Sequence, residues 1–500
     1  MDSAMVRVFV LFVVAAFSFA TPLDDYVKRD DGCFKYVDTG VTRGGNGWTG
    51  YVWNVTSQCW LDPTLASRNI WWHSFIVVVP HDVDISSHAA LLYINGGDNS
   101  NPTDLPGDDD EGLVVTAQIA LSSRTVAAVL YQVPNQPLTF PWDPWHVGGR
   151  NEDSAIAITW WHFVQNTSFP DVVLELPMTK AGVKALDALQ LIAPKYTGTT
   201  PTELFVSGAS KRGWTTWLVG AVESAAKNRV KGIMPIVLDA LNFVAFAHRQ
   251  WRFYGAWSFA LRDYYKANIT QYFDLPQAEQ LQALIDPYFY RKRLTMPKLA
   301  INAGGDEFQM PDDHRYWAHD MVGEMNLVLV KNAEHAMVTG IVEALQSAGA
   351  FVQSLVKNAT RPSYTWDIDN ATGMITVKTN RVPKVVTLAV GASGEGVSRH
   401  RRDFRWAAIN VSFCPVKIFG ACIRPLIWNT TTSGVVKVDD YTYRGSVPAP
   451  SVGWVAFMLE MQWDNPSGPD DFYFTSPASV LPNTLPFPDC RGIGCWGTLC

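Results

Sequence analysis

A serine in a Gly-Ala-Ser-Lys-Arg-Gly run has the setting in this sequence that points most directly to chemistry. Ser210 follows a short strand-like run, residues 203–207, and residues 214–226 after it have the composition of a helix. A serine on a tight strand-to-helix turn is held clear of its own backbone and needs small neighbours, because the turn is crowded. The motif indicates a nucleophile elbow with Ser210 as an activated hydroxyl. Gly-x-Ser-x-x-Gly also occurs in ordinary turns, so the residues downstream decide between the two interpretations.

An activated serine needs a base, and the base needs a carboxylate that fixes its tautomer. Asp306 and His335 each come just after an apolar, strand-like run. The chain order Ser, Asp, His is the order used by α/β-hydrolases. His314 and His319 fall in a helix-like stretch, and His400 lies in a β-rich region. His335 is therefore the preferred candidate for the base, although a single histidine is more often structural.

A glycine pair near the start of the sheet is the candidate partner for the oxyanion. Gly96 and Gly97 follow the strand-like run 89–94. An oxyanion hole combines the N–H of the residue after the nucleophile with an N–H from a loop after an early strand. We expect Lys211 N–H and that of Gly96 or Gly97 to be the donors. An ordinary tight turn is the alternative for the two glycines.

Two acidic residues could recognise a substrate. Glu152 and Asp153 stand in an Arg-Asn-Glu-Asp run. They would bind a substrate amine if they reach the pocket, which would favour an aminopeptidase-like activity. Structural salt bridges are the commoner role of such a pair.

These candidates need an α/β sheet to bring them together. Strand-like and helix-like segments alternate from residue 70 to about residue 357, which predicts a doubly wound, mainly parallel sheet with helices on both faces. Residues 179–192 and 341–356 carry apolar stripes at helical spacing. The predicted strands are 70–79, 89–94, 125–133, 203–207, 230–238, 298–303 and 327–330.

The chain divides into three segments after a leader, and the first of them contains an insertion. We expect an α/β-hydrolase domain at 21–360, with a helical cap insertion at 241–295 above the carboxyl ends of the strands. Short alternating stretches with Gly, Pro, Asn and Asp turns predict a β-sandwich-like domain at 361–489, and 490–500 is a cysteine-containing tail. The cap aromatics either hold the insertion down or contact substrate; they are Trp251, Tyr254, Trp257, Tyr264, Tyr265, Tyr288 and Tyr290. The β-strand candidates after residue 360 are 363–368, 374–379, 384–390, 406–413, 434–438 and 454–463.

Several features predict an exported protein. Residues 1–20 have the basic start, apolar run and small-residue cleavage site of a signal peptide, and no later segment reaches the roughly 20 apolar residues of a membrane span. Sequons for N-glycosylation fit this location. They lie at Asn54, Asn166, Asn268, Asn358, Asn370, Asn410 and Asn429.

The cysteines are expected to form disulfides rather than a metal site. Cys414 with Cys422 is the preferred pair and Cys33 with Cys59 the next, and an odd count of 7 leaves one thiol free or intermolecular. The cysteines lack the Cys-x2-Cys spacing of zinc sites. The formal charge is -7, so a basic face for nucleic acid is not expected.

The motifs as a set resemble the PhoPQ-activated pathogenicity-related family, which also contains the autocrine proliferation repressor proteins. The resemblance spans residues 51–489. It implies an α/β-hydrolase domain with an appended β-domain, and it carries the catalytic triad onto Ser210, Asp306 and His335. The motifs are Arg150-Asn-Glu-Asp153, Leu176-Pro-Met-Thr-Lys180, Val206-Ser-Gly-Ala-Ser-Lys-Arg-Gly-Trp214, Leu238-Asp-Ala-Leu-Asn242, Gly304-Gly-Asp-Glu-Phe308 and Asn332-Ala-Glu-His335.

The sequence thus predicts a secreted serine hydrolase, a peptidase or an esterase, that uses no cofactor and no metal. The alternative is a secreted proliferation repressor that binds a cell-surface receptor with its hydrolase scaffold, because a fold does not establish chemistry. The 20 tryptophans leave a third hypothesis, a carbohydrate-active protein.

Overall fold

A nine-stranded sheet is the centre of a computed structural model that describes residues 20–393, 400–410, 414, 416–418, 420–424 and 426–500. The predicted signal peptide lies outside the described residues, apart from Ala20. The sheet order is β1-β2-β3-β5-β4-β6-β7-β8-β9. Its strands are β1 (Lys35–Gly45), β2 (Trp48–Cys59), β3 (Ile70–Pro80), β4 (Ala89–Ile94), β5 (Val126–Leu130), β6 (Glu203–Ala209), β7 (Val230–Ile236), β8 (Lys298–Ala303) and β9 (Met325–Val330).

Strands β4 to β9 run parallel to one another, whereas β1 pairs antiparallel with β2, β2 with β3, and β3 with β5. All seven predicted sheet strands are confirmed, and with them the mainly parallel sheet of an α/β fold. Their apolar runs are buried on both faces, as parallel strands are. Strands β1 and β2 escaped prediction. The reason for β1 is that it is an exposed edge strand of mostly polar residues and glycines, without an apolar run.

Helices cover both faces of the sheet. One apolar core joins α1, α3, α4 and α6 to one face, and a second joins α2 and α10 to the other. Alternate strand residues supply the two cores: Leu92 and Val206 face the first, and Leu91 and Phe205 face the second. The helices are α1 (Pro22–Lys28), α2 (Glu111–Ser123), α3 (Glu152–Gln165), α4 (Glu175–Ile192), α5 (Pro194–Thr197), α6 (Lys211–Ala225), α7 (Phe243–Tyr254), α8 (Arg262–Lys266), α9 (Pro276–Ile285) and α10 (Ile341–Val356).

The segment between β7 and β8 is helical, as predicted for the cap insertion. It contains α7, α8 and α9 and packs on α3. The cysteine-containing tail docks on it, because Trp257 N donates to Thr498 O and Cys500 N donates to Trp257 O, both at 2.8 Å. The cap is therefore held both by the α/β core and by the end of the described chain.

After α10 the described elements are antiparallel strands, arranged in sheets of four (β10-β11-β18-β17), five (β16-β12-β19-β20, with β21 on β19) and three (β13-β15-β14). The first two sheets pack face to face, since a Cβ on Gly445 would lie 2.7 Å from Leu388 and 3.0 Å from Leu459. Of the predicted strand 406–413, only Ala407–Ala408 forms a strand, and 411–413 lie outside the described residues. The strands are β10 (Tyr364–Ile368), β11 (Ile375–Thr379), β12 (Val385–Ala392), β13 (Ala407–Ala408), β14 (Val416–Ile418), β15 (Ala421–Ile423), β16 (Trp428–Thr431), β17 (Val435–Lys437), β18 (Thr442–Gly445), β19 (Val455–Trp463), β20 (Phe472–Thr475) and β21 (Ser479–Leu481).

Three disulfides tie loops and ends of the chain. Cys33–Cys59 and Cys414–Cys422 are present, as predicted, and Cys490–Cys495 adds a third within the tail. Among the described cysteines Cys500 is the unpaired one, and it is buried. Within the described ranges, no helix combines the length and the apolar character that a membrane crossing requires.

Candidate active site

Ser210 is the one residue between the end of β6 and the start of α6, and it has φ 57° and ψ −126°. A non-glycine residue with positive φ is strained, and its neighbours must be small to allow the turn. A Cβ on Gly208 would lie 2.8 Å from the backbone oxygen of Arg212, and one on Gly213 would lie 2.8 Å from that of Ile236. The glycines of the motif are therefore required by close backbone packing.

The side chains of Ser210, His335 and Asp306 form one hydrogen-bonded line. Ser210 Oγ lies 2.8 Å from His335 Nε2, and His335 Nδ1 lies 2.8 Å from Asp306 Oδ2. The other carboxylate oxygen of Asp306 accepts the backbone N–H groups of Phe308 at 2.7 Å and Gln309 at 3.2 Å. These bonds fix the carboxylate while its second oxygen holds the imidazole. The geometry suits general-base activation of the serine hydroxyl.

His335 is held in an electrostatically mixed setting. Burial lowers the pKa of His335, but the charge of Asp306 and the hydrogen bond to it raise the pKa, and the net shift is upward. Lys211 lowers the pKa and Glu307 raises it. Glu307 Oε2 also accepts the backbone N–H of His335 at 3.1 Å, and burial together with the Asp306 charge raises the pKa of Glu307 to about 7. The Phe308 ring packs on the imidazole with centroids 4.4 Å apart.

Glu152 is held by two cations and an amide. Arg212 donates to both of its oxygens at 2.7 and 2.6 Å, Lys211 Nζ lies 2.9 Å away, and Gln136 Nε2 donates at 2.6 Å. Burial raises the pKa of Glu152. The charge of Arg212 and its hydrogen bonds to the carboxylate lower the pKa by more than burial raises it, so the net shift is downward. The salt-bridge role left open by the sequence is thus the one that this carboxylate has. Glu152 thereby holds the guanidinium of Arg212, which stands two residues after Ser210.

Asp153 reaches the site more directly. Its carboxylate lies 3.2 Å from Lys211 Nζ and accepts the Tyr264 hydroxyl at 3.0 Å. It lines the same cavity as Ser210 and His335. A substrate amine at Asp153 would therefore approach a carboxylate that Lys211 already neutralises in part.

The two glycines expected at the oxyanion hole differ in what their N–H groups do. Gly96 N donates to the side-chain oxygen of Asn95 at 2.8 Å. In the described part of the chain, Gly97 N–H and Lys211 N–H have no hydrogen-bond acceptor, and both residues line a cavity at Ser210. The geometry thus favours Gly97 over Gly96 as the partner of Lys211.

Two cavities meet at the serine. The first lies under the cap and is mostly aromatic, and the second lies towards α2 and α10 and is more polar. Ser210, Lys211 and His335 line both. The aromatic walls of the first are Trp160, Trp214, Phe243, Phe246, Tyr264, Phe273 and Phe308.

Sequence reasoning missed most of these walls. Of the cap aromatics named from the sequence, only Tyr264 lines the described cavity. Phe243, Phe246 and Ala247 stand at helical spacing on one face of α7, and that pattern could have marked them. Glu307 and Gln136 were also missed, because each acts through a contact between distant segments.

The β-rich region contacts both loops that carry the acid and the base. Trp406 N donates to Gly305 O at 2.9 Å, and a Cβ on Gly305 would lie 2.1 Å from the Trp406 ring. Trp428 N donates to Asn332 Oδ1 at 2.7 Å, and Asn332 Nδ2 donates back to Trp428 O at 3.0 Å. A Cβ on Gly304 would lie 3.4 Å from the Trp428 ring. Asp306 and His335 thus stand on loops that are held by contacts from outside the nine-stranded sheet.

Most of the predicted glycosylation sites are on the surface. Asn54 and Asn268 are half-buried, and the other five are exposed. The exposed ones are Asn166, Asn358, Asn370, Asn410 and Asn429. Glycosylation at these positions stays a prediction.

A family model and one relative match most of the chain. The model of the PhoPQ-activated pathogenicity-related protein family matches residues 23–405. Autocrine proliferation repressor protein A of Dictyostelium discoideum is 35% identical over 495 residues, covering 97% of this chain and 95% of that protein. Among solved structures, acetyl xylan esterase 1 from Thermoanaerobacterium sp. JW/SL YS485 has a TM-score of 0.43 and 13% identity, covering 68% of this chain and 94% of that one. Acetyl xylan esterase from Paenibacillus sp. R4 has a TM-score of 0.41 and 13% identity, covering 64% of this chain and 87% of that one.

Proposed function

This chain belongs to the PhoPQ-activated pathogenicity-related protein family, and we propose that it is a secreted serine hydrolase. It transfers an acyl group from an ester or a peptide bond to water. The observation that supports this most is the Ser210–His335–Asp306 line, in which both contacts measure 2.8 Å. The three disulfides and the signal-like residues 1–20 support export.

In this proposal His335 Nε2 takes the proton of Ser210 as Oγ attacks the acyl carbonyl. Asp306 keeps the imidazole in the correct tautomer and stabilises the imidazolium. Lys211 N–H and Gly97 N–H bind the oxyanion of the tetrahedral intermediate. His335 then gives the proton to the leaving group, and water, activated by the same imidazole, releases the acyl group from Ser210. The cycle needs no cofactor.

Whether the bond is an ester or an amide depends on the leaving group. Asp153 is the residue that would favour a peptide with a free amine, because it lies in the cavity with Ser210. Its existing contacts with Lys211 and Tyr264 weaken that role. The hydrolase proposal holds for either bond.

A fluorophosphonate probe tests the proposal without knowledge of the substrate. We expect the secreted protein to be labelled at Ser210, located by mass spectrometry, and labelling to be lost in Ser210→Ala. His335→Ala should slow labelling at least 100-fold, because the hydroxyl loses its base. The control is Ser207→Ala, in the strand just before the elbow, where Ser207 Oγ donates to Met234 O at 2.7 Å. Folded protein that takes no label, or label on another serine, would contradict the proposal.

A second candidate function is extracellular signalling through receptor binding. It is motivated by the 35% identity to a protein named as an autocrine proliferation repressor. A proliferation assay with purified wild type and Ser210→Ala separates the two. Repression that survives the substitution, at matched concentration, favours receptor binding by the scaffold. Repression lost with labelling favours catalysis.

A further inference from the structure

The cavity under the cap has mostly aromatic walls. Its walls come from α3, α6, α7 and the rest of the cap, and it opens on Ser210 and His335. Trp160 is in ring contact with Trp214 at 5.7 Å, Phe243 at 5.5 Å and Tyr264 at 5.1 Å between centroids. Phe243 extends the group to Phe273 at 6.1 Å. These contacts fix the walls of the cavity by mutual packing.

The polar atoms of these walls are already used within the protein. Trp160 Nε1 donates to Glu175 at 2.9 Å, Trp214 Nε1 donates to Ile285 O at 2.6 Å, and the Tyr264 hydroxyl donates to Asp153 at 3.0 Å. Gln309, which also lines the cavity, accepts from Asp239 N at 2.6 Å and donates to Val237 O at 3.0 Å.

With those groups engaged, the rings present hydrocarbon edges and faces to the cavity. Aromatic rings pack best against other apolar or aromatic groups. A small polar acyl group would leave most of this surface without a partner.

We propose that this cavity binds an apolar group of the substrate on one side of the scissile bond. The inference rests on the proposed hydrolase function. The substrate class is an ester or amide with an aryl or comparable apolar substituent. The second cavity, which Glu152 and Arg212 line, takes the more polar remainder of the molecule.

Three esters test the proposal in a pH-stat: ethyl acetate, methyl 3-phenylpropanoate and 2-phenylethyl acetate. Ala247 lines the cavity, so Ala247→Leu should fill part of it. Ala245→Leu is the matched control, because Ala245 is on the same helix, half-buried, and outside the cavity lining.

We expect kcat/KM of the wild type for at least one of the two phenyl-substituted esters to be at least tenfold higher than for ethyl acetate. Apolar groups in such pockets change specificity about 10-fold or more. Ala247→Leu should remove that preference, because it should lower kcat/KM for the phenyl-substituted esters more than for ethyl acetate. Ala245→Leu should keep it. Equal rates for all three esters, or a preference that survives Ala247→Leu, would overturn the inference.

The hydrolase proposal and the cavity proposal fail differently. If no ester is turned over and Ser210 takes no label, the catalytic proposal has failed. The cavity is then judged by binding of 2-phenylethyl acetate to Ser210→Ala, followed by tryptophan fluorescence, because Trp160 and Trp214 line it. In the Ser210→Ala background, Ala247→Leu should raise the Kd for 2-phenylethyl acetate at least tenfold. Ala245→Leu in the same background should leave that Kd unchanged. Absence of binding, or equal Kd values, would refute the cavity proposal.

Discussion

His335 determines how the proposed reaction depends on pH. It must be neutral to accept the serine proton, and its pKa in the folded protein lies above the ordinary value of 6.5. Activity should therefore fall as the pH drops through that raised pKa, and be full on its alkaline side. We expect kcat/KM to decline about tenfold per pH unit on the acid limb, with a midpoint above 6.5. A profile that is flat between pH 5 and 8 would contradict the role of His335.

Two neighbours of the imidazole should move this limb in opposite directions. Glu307 raises the pKa of His335 and Lys211 lowers it. Glu307→Gln keeps an acceptor for the His335 N–H but removes the charge, so its limb should shift to lower pH. Lys211→Met should shift the limb to higher pH. The measurement is kcat/KM against pH for each variant, and shifts in the same direction would refute this account.

At the level of single residues, the sequence is informative where a motif specifies position. Ser210 could be found because its turn requires Gly208 and Gly213 nearby. The choice between Gly96 and Gly97 could not be made, because it depends on where the Asn95 side chain points. The role of Glu307 could not be predicted either, since its carboxylate accepts from a backbone N–H 28 residues away.

At the scale of elements, the loops after β8 and β9 owe their positions partly to the β-rich region. Asn332 has φ 60° and bonds the backbone of Trp428 in both directions. Each such bond contributes about 1 kcal/mol, and the loop it fixes leads directly to His335. A small displacement of a catalytic group can cost about 100-fold in rate.

Asn332→Ala should therefore reduce kcat more than its loss of stability suggests. Asn228→Ala is the matched control: Asn228 also has positive φ, at 49°, but is exposed and remote from the elbow. Both variants lose the backbone tolerance of asparagine, worth roughly 1 kcal/mol. We expect at least a tenfold fall in kcat for Asn332→Ala and less than twofold for Asn228→Ala, with urea unfolding measured for both. Equal effects on kcat would show that the hydrogen bonds between Asn332 and Trp428 have no role in positioning the site.

Elements with continuous apolar runs were predictable, and those without were not. Strand β4 was predicted with its observed bounds, because Ala-Ala-Leu-Leu-Tyr-Ile is buried almost throughout. Strand β1 was missed, because its residues are nearly all exposed. The brace between Gly305 and Trp406 was also invisible in the sequence, because each segment looks like an ordinary loop.

For the whole molecule, the apolar core on one face of the sheet continues into the β-rich region. Phe351 of α10 and Val328 of β9 share that core with Phe457 and Leu459 of β19. Hydrogen bonds cross the same boundary, from Leu329 N to Thr475 Oγ1 at 3.1 Å. An interface of this kind couples the unfolding of the two parts.

We therefore expect one cooperative thermal transition for the mature chain. Far-UV circular dichroism, which reports helices and strands together, and loss of fluorophosphonate labelling at Ser210 should share a midpoint within about 2 °C. The labelling experiment uses aliquots heated and probed at temperature. Two transitions separated by 10 °C or more would mean that the β-rich region folds and melts independently.

The Trp406 and Trp428 contacts also have a genetic consequence. Residues 357–363 look like a natural joint, with a helix on one side and strands on the other. A deletion or gene fusion at that joint would preserve the codons for Ser210, Asp306 and His335, yet remove the surfaces against which Gly304, Gly305 and Asn332 rest. Inheritance of the proposed activity thus requires both halves of the gene, and a homologue with all three residues but without the second half should be inactive.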